Sequence, residues 1–343
     1  MDKFMYETED SIMLKSIYDH LQDEESIEIY NARSLFSLSD DKRYLDDVIN
    51  KMSLSKELFD FLDVNNDKKR ILFGAGTWGK AILEHIKIKW DHVVDNKRAG
   101  MTINEYTIKR IEDLDGIENC IVVLAILFKY KEVLDQLLNM GIKKENILVL
   151  GELATRMQYF DLEQLRLGSE EVYVDVGGFN GDTALRFNQV VGGRYKHIYV
   201  FEPNRQLFQA TKENLQELHD CKVFNNAVWS KRCSLELLEA GEGTRVSENS
   251  SAGCEIQAVS IDEVICEEIA SFIKMDIEGS EYEALKGAIQ TITNYKPKLA
   301  ISVYHKRDDI WEIPKLLLKL NPDYRFYLRI YSFTGNDTVL YAI

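Results

Sequence analysis

The residue types able to do chemistry in this sequence stand at the ends of apolar runs. Asp175 lies in the run VYVDV, and Gly177, Gly178 and Gly181 follow it directly. Glu202 closes the next apolar run, HIYVF, 21 residues after Gly181. A glycine turn lets backbone approach a nucleoside ligand, and a carboxylate ending the second strand accepts hydrogen bonds from ribose hydroxyls. This turn is not G-x-G-x-x-G, and an acid leads it, which suits a pyrophosphate poorly. It suits a cofactor that presents an ammonium and carries no phosphate; S-adenosyl-L-methionine is of that kind. Asp276 and Glu278 end the run FIKM, one residue apart, and His305 ends KPKLAISVYH. Such groups take or give a proton beside a reacting hydroxyl.

A second glycine turn comes earlier. Gly74, Gly76 and Gly79 form a true G-x-G-x-x-G between RILF and KAILEHI, and Asp95 ends the next apolar stretch 19 residues after Gly76. By itself this is the dinucleotide fingerprint in its proper context, and it would suggest a nicotinamide-dependent sugar enzyme. No Tyr-x-x-x-Lys pair stands near it. The charge of Asp95 disfavours a 2′-phosphate. A nucleotide sugar, or no ligand at all in a packing scaffold, are the other readings of this possible second nucleotide site.

Strand and helix patterns must position these residues. Residues 1–65 read as a helical leader: Met13, Leu14, Ile17, Tyr18 and Leu21 form one apolar stripe, and Leu45, Val48, Ile49 and Met52 another. Residues 66–150 alternate strand and helix, as a small Rossmann-like parallel α/β domain does. Residues 151–170 are a connector with helical character. Residues 171–343 repeat the alternation with five parallel strands and end in YRFYLRIYS and DTVLYAI, an antiparallel pair. Asp262, between a strand and a helix, reads as an N-cap. The polar loop from Gly241 to Gly253, with Arg245 in its middle, is a candidate lid or a hairpin tip. Phe201, Phe224 and Trp229 read as core.

The charge balance narrows the partners. Of 343 residues, 42 are basic and 57 acidic, a net charge of −15, which argues against a nucleic-acid backbone as the main partner. Five cysteines, with no C-x-x-C pair, fit neither a disulfide scaffold nor structural zinc, and buried small hydrophobes are expected at all five. No divalent metal is expected, because the carboxylates make no recognised ligand motif. The acidic start MDKFMYETED is no signal peptide, and the longest apolar run, Cys120 to Phe128, is far short of the about 20 residues of a membrane span. A cytoplasmic protein is expected.

The segments VDVGGFNGDT, FEPN, NNAVWS, VSIDEV, FIKMDIEGSEYEALKGA and KPKLAISVYH resemble, in order and spacing, the FkbM family of S-adenosylmethionine-dependent methyltransferases. The likeness spans roughly 155–343, and Ile273 to Ala288 is its most specific part. The leader, with ESIEIYNAR, resembles the N-terminal part of bacterial proteins that couple this domain to a small α/β domain. That small domain is itself similar to the nucleotide-sugar-binding domain of bacterial sugar acetyltransferases. The resemblance implies a class I methyltransferase-like α/β sheet of seven strands with antiparallel terminal strands. It implies that Asp175, Gly177, Gly178 and Gly181 line the methionine end of the cofactor, that Glu202 holds the ribose, and that Asn226 and Ala227 lie by the adenine. Asp276, Glu278 and His305 become the catalytic candidates for O-methylation of a sugar or glycan precursor. A non-catalytic nucleotide-binding protein is the alternative from another class.

Overall fold

The structure, a computed structural model, describes residues 9–240, 243–247, 254–266 and 268–343. It contains two compact units: residues 1–38, 159–329 and 339–343 make one, and residues 39–158 with 330–338 make the other. The helical leader thus divides. The helices Glu9–His20 and Glu24–Ser39 start the chain in the first unit, and Asp46–Lys51 and Ser53–Val64 belong to the second.

The smaller unit is built on four parallel strands in the order His92–Val94, Lys69–Phe73, Cys120–Leu124, Ile147–Val149. Every residue of CIVVL is buried, as a central parallel strand covered on both faces requires. The helix Thr77–His85 leaves the glycine turn directly. A Cβ on Gly79 would stand 1.8 Å from the carbonyl oxygen of Gly74, so only glycine lets helix and strand meet there. Trp78 is turned inward, with its ring edge-on to Phe333 at 5.6 Å.

The larger unit carries a seven-stranded sheet. Its strands are β1 (Val172–Val176), β2 (His197–Phe201), β3 (Cys221–Phe224), β4 (Phe272–Met275), β5 (Lys298–Ser302), β6 (Phe326–Ile330) and β7 (Thr338–Ala342). Their spatial order is β6-β7-β5-β4-β1-β2-β3. The strands β1 to β5 are parallel to their neighbours, and β7 runs antiparallel to β5. This is the expected seven-stranded α/β sheet, with β7 reversed against the five parallel strands. Its core is aromatic: the ring of Tyr173 stacks on Phe187 at 4.3 Å and on Phe272 at 5.1 Å. Phe201 is buried in the core, as its sequence context suggests, whereas Phe224, stacked on it at 5.0 Å, stays partly exposed on the edge strand β3. The order reverses at β1, with β2 on one side and β4 on the other, and the ligand crevice of such a sheet lies beyond the carboxyl ends there.

The leader helix Glu24–Ser39 is tied to β6. Ser26 Oγ accepts from the Leu328 amide at 2.9 Å, and Arg329 pairs with Asp23 at 2.7 Å. Cys233–Ala240 pairs antiparallel with Cys254–Val259 and with Gly243–Ser247. The latter strand takes up part of the expected lid; its remaining residues, 241–242 and 248–253, lie outside the described ones. Cys120 is buried, but Cys254 and Cys266 are exposed, so burial does not account for all five cysteines. Asp262 caps a different helix from the one expected. Ser260 accepts from the Glu263 amide, while Asp262 accepts from Gln290 and Thr291 at the start of Ile289–Tyr295. No helix among the described residues is long and apolar enough to cross a membrane.

Candidate active site

The turn after β1 is shaped by contacts that exclude side chains. Gly177 has φ of +87°, and a Cβ there would lie 2.1 Å from the carbonyl oxygen of Asp276. The turn therefore rests directly on the end of β4. A Cβ on Gly178 would meet Val200 Cγ1 at 2.2 Å, so the next residue rests on β2. The amides of Gly177 and Gly178 both donate to the Phe201 carbonyl at 3.0 Å. Gly181, at φ +85°, turns the chain into the helix Asp182–Val190 against Leu215. Phe179, between them, is in the left-handed region at φ +48°.

Glu202 follows β2 and locks this turn. Its Oε2 accepts from the Phe179 amide at 2.9 Å and its Oε1 from the Asn204 amide at 2.8 Å. Burial pushes its carboxyl up to about 7, against the two amide bonds that favour the charged form. Asn226 lies just after β3 and donates to the Gln257 carbonyl; Ala227 is buried beside it. Asn225, which no sequence pattern marks, donates to the carbonyls of Glu202 and Pro203, both at 2.9 Å.

Asp175 is fully buried. Lys274, on the neighbouring strand β4, reaches its Oδ1 at 3.0 Å and also donates to the Gly177 carbonyl at 2.7 Å. The ammonium stands 5.2 Å from the centre of the Tyr159 ring. Burial works against that charge, but Asp175 and Asp276 hold Lys274 protonated above its ordinary range. The other oxygen of Asp175, Oδ2, is buried and makes no hydrogen bond among the described residues. Asp175 thus supports the turn through Lys274, with one acceptor in reserve.

Asp276, Glu278 and His305 come together beyond β4 and β5. Tyr159 donates to Asp276 Oδ2 at 2.6 Å. Its phenol is held well above its usual range by burial and by the Asp276 charge, so it is a donor at any working pH. His305 is almost wholly buried, and its Nδ1 is 2.9 Å from Glu281 Oε1. Glu281 is itself fully buried and also accepts from the Ile277 amide at 2.8 Å. His305 Nε2 lies 3.4 Å from Asp276 Oδ1 and 3.7 Å from Glu278 Oε2. Burial disfavours the imidazolium, but Glu281, Asp276 and Glu278 together raise it to about 9. Glu278 occupies the left-handed region at φ +56°, a conformation that costs about 1–2 kcal/mol for a side chain of this kind. The site thus presents carboxylates, the Lys274 ammonium and the His305 imidazolium beside a backbone turn, groups able to take or give a proton.

The other glycine turn has the same internal lock. Asp95 Oδ2 accepts from the Ala75 amide at 2.9 Å, and its Oδ1 from Lys97 and Arg98. The Arg98 guanidinium lies 3.5 Å from Asp95.

Lys274, Tyr159 and Glu281 are the residues of the main site that motif reading did not pick out. A lysine inside the buried run FIKM was a usable signal, since buried lysines need a partner. Tyr159 lies in the connector and Glu281 within a helix, and neither carries a local mark.

Residues 175–333 match the model of the methyltransferase FkbM domain. Among solved structures, the chain is similar to an FkbM methyltransferase from Methylobacillus flagellatus KT, with TM-score 0.52 and 18% identity over 93% of this chain and 99% of that one. It is also similar, at TM-score 0.37 and 10% identity over 56% of this chain and 74% of the other, to Aeropyrum pernix fibrillarin solved with natively bound S-adenosyl-L-methionine. No curated protein matches the chain in sequence. With the seven-stranded order and the turn at Gly177 already established, the match identifies residues 175–333 of this chain as a methyltransferase FkbM domain.

Proposed function

We propose that this methyltransferase uses S-adenosyl-L-methionine to methylate a hydroxyl, on a sugar or a glycan precursor. The observation that carries the reading is the convergence of Asp276, Glu278 and His305 beside the turn at Gly177, with Glu202 at the end of the adjacent strand. The residues present fit that cofactor. The turn from 177 to 181 holds no lysine or arginine to receive a phosphate, and the rim beside it is carboxylate-rich, which favours an ammonium and a sulfonium. Glu202 would hold the ribose hydroxyls, Asn226 and Ala227 would flank the adenine, and the turn amides would approach the methionine end. When bound, the cofactor supplies an activated methyl group.

The chain's own work is then to orient the acceptor and take its proton. Positioning for in-line attack is worth several kcal/mol. Asp276 is fixed by Tyr159 through one oxygen, and its other oxygen, 3.4 Å from His305 Nε2, is the one to accept from the hydroxyl. Glu278 is more exposed and can pass the proton to solvent. His305, an imidazolium at neutral pH, is the donor that steadies the acceptor's oxygen. Incubating the protein with labelled cofactor and a panel of nucleotide sugars and glycan extracts tests this. Label transfer to a hydroxyl supports it, and cofactor binding with no transfer to any oxygen acceptor refutes the acceptor class.

For the smaller unit we infer a nucleotide-sugar site at Gly74, Gly76, Gly79 and Asp95. The observation in its favour is Gly76, whose α-carbon faces open space except for the Arg98 guanidinium 3.9 Å from where a Cβ would be. An anionic ligand could approach the backbone there.

A further inference from the structure

His305 Nε2 is a buried nitrogen with no hydrogen-bond partner among the described residues, on a side chain only 4% exposed. Its other nitrogen is fixed by Glu281, which points Nε2 at Asp276 Oδ1 and Glu278 Oε2, 3.4 and 3.7 Å away. Asp276, Glu281 and His305 each offer one donor atom within 4.8 Å of the others. We propose that His305 Nε2, Asp276 Oδ1 and Glu278 Oε2 bind a divalent cation that takes the place of the Nε2 proton and its role at the acceptor's oxygen, with Glu281 as the residue that positions the imidazole.

The spacing fits. Neighbouring ligands on a cation with bonds of about 2.1 Å stand about 3.0 Å apart in an octahedron and about 3.4 Å apart in a tetrahedron. The two separations from His305 Nε2 are within a few tenths of an ångström of these values, and the half-exposed Glu278 side chain has to turn toward Asp276 to complete the set. A ligating histidine ordinarily gives its second N–H to a carboxylate, and Glu281 is placed for that. One imidazole and two carboxylates suit Mn2+ or a similar first-row ion, with positions left open for ligands from solvent or substrate. The ligands come from the ends of two strands and so make no compact sequence motif.

The role of the ion rests on the methyltransferase reading; its binding does not. A hydroxyl coordinated at an open position loses its proton to water more readily, so the alkoxide forms before its oxygen bonds to the methyl carbon and the sulfur–carbon bond breaks. The test uses the full-length protein after EDTA treatment and dialysis. Mn2+ is titrated and followed by its electron paramagnetic resonance signal, and S-adenosyl-L-methionine binding is measured by calorimetry on the same sample. The expected result is one saturable Mn2+ per chain, weakened about tenfold or more in both Glu278→Gln and His305→Gln. Glu278 is half-exposed, so its variant remains decisive if the histidine variant unfolds. Absence of saturable Mn2+ binding, or unchanged affinity in Glu278→Gln, overturns the cation site. Cofactor binding without Mn2+ binding overturns the cation alone; Mn2+ binding without cofactor binding overturns the methyltransferase reading alone.

Discussion

At the scale of single residues, two buried charges make opposite demands. Glu202 is held in the native state with its carboxyl raised to about 7 from an ordinary value of 4.5, chiefly by burial. The folded chain therefore binds this proton more tightly than the unfolded one. The stability it contributes is fully present below about 4.5 and is lost as pH rises through about 7. If Glu202 holds the ribose, ligand binding runs the other way, because hydroxyls donate best to the carboxylate. Affinity for S-adenosyl-L-methionine should fall by up to about a factor of ten for each pH unit below 7. Glu202→Gln should flatten that profile and lower the neutral-pH affinity by about 1–3 kcal/mol. Calorimetry from pH 5.5 to 8 reads both, and a profile equally steep in the variant would remove Glu202 from the ribose. Lys274 is the converse case. Lys274→Met leaves Asp175 buried without its cation, and should destabilise the unit by about 3–5 kcal/mol in urea unfolding. Adding Asp175→Asn should restore part of that loss; a double variant as unstable as the single would show that the pair is not what Lys274 supports.

At the scale of elements, the glycine turn is where backbone geometry makes the site. Gly177→Ala must place a methyl 2.1 Å from the Asp276 carbonyl in a left-handed residue, so the turn or the end of β4 has to move. We expect a cost of about 2 kcal/mol or more and a collapse of methyl transfer, because Asp276 moves with its own backbone. Gly168→Ala is the control, with nothing within 4 Å of its Cβ and no positive φ, and should stay within about 0.5 kcal/mol. Thermal unfolding of the two variants decides it, and equal stability would mean that the turn has room to relax. The elements bearing this site were readable because β1, β2, β4 and β5 are continuous apolar runs closed by polar residues. Asp175, Glu202, Asp276 and His305 stood out by that contrast. Tyr159 did not, since its role depends on a connector folding back onto β4, which no local pattern encodes. Glu281 looks like an ordinary acid in the first turn of a helix until His305 is brought to it. The leader shows the same limit: its periodicity marks helices, but not that they join two different cores.

At the scale of the whole molecule, the chain leaves the larger unit at residue 38, returns at 159, and leaves once more for 330–338. The smaller unit is therefore completed from far along the sequence. Phe333 packs edge-on to Trp78, and Gly335 fits where a Cβ would lie 2.6 Å from Leu45 Cδ1. A fragment ending at 158 would lack these residues, so ligand binding by the glycine turn has to be measured on the full chain. The three glycines of that turn are unequal probes. A Cβ on Gly79 meets backbone at 1.8 Å, and Gly74 has φ of +108°, so changing either reports on folding. Gly76 has φ of −80° and only a guanidinium near its Cβ position, so Gly76→Val should leave the unit folded while blocking approach to the turn. If the turn holds a nucleotide sugar, UDP-, GDP-, CDP- or dTDP-sugars should raise the melting temperature of the wild type and not of Gly76→Val. NAD included in the same screen tests the nicotinamide reading, and Asp95 makes NADP the poorest ligand. A folded wild type silent to every member of the panel would refute the binding site and leave the smaller unit as a packing scaffold. A shift that persists unchanged in Gly76→Val would place the ligand elsewhere in the chain.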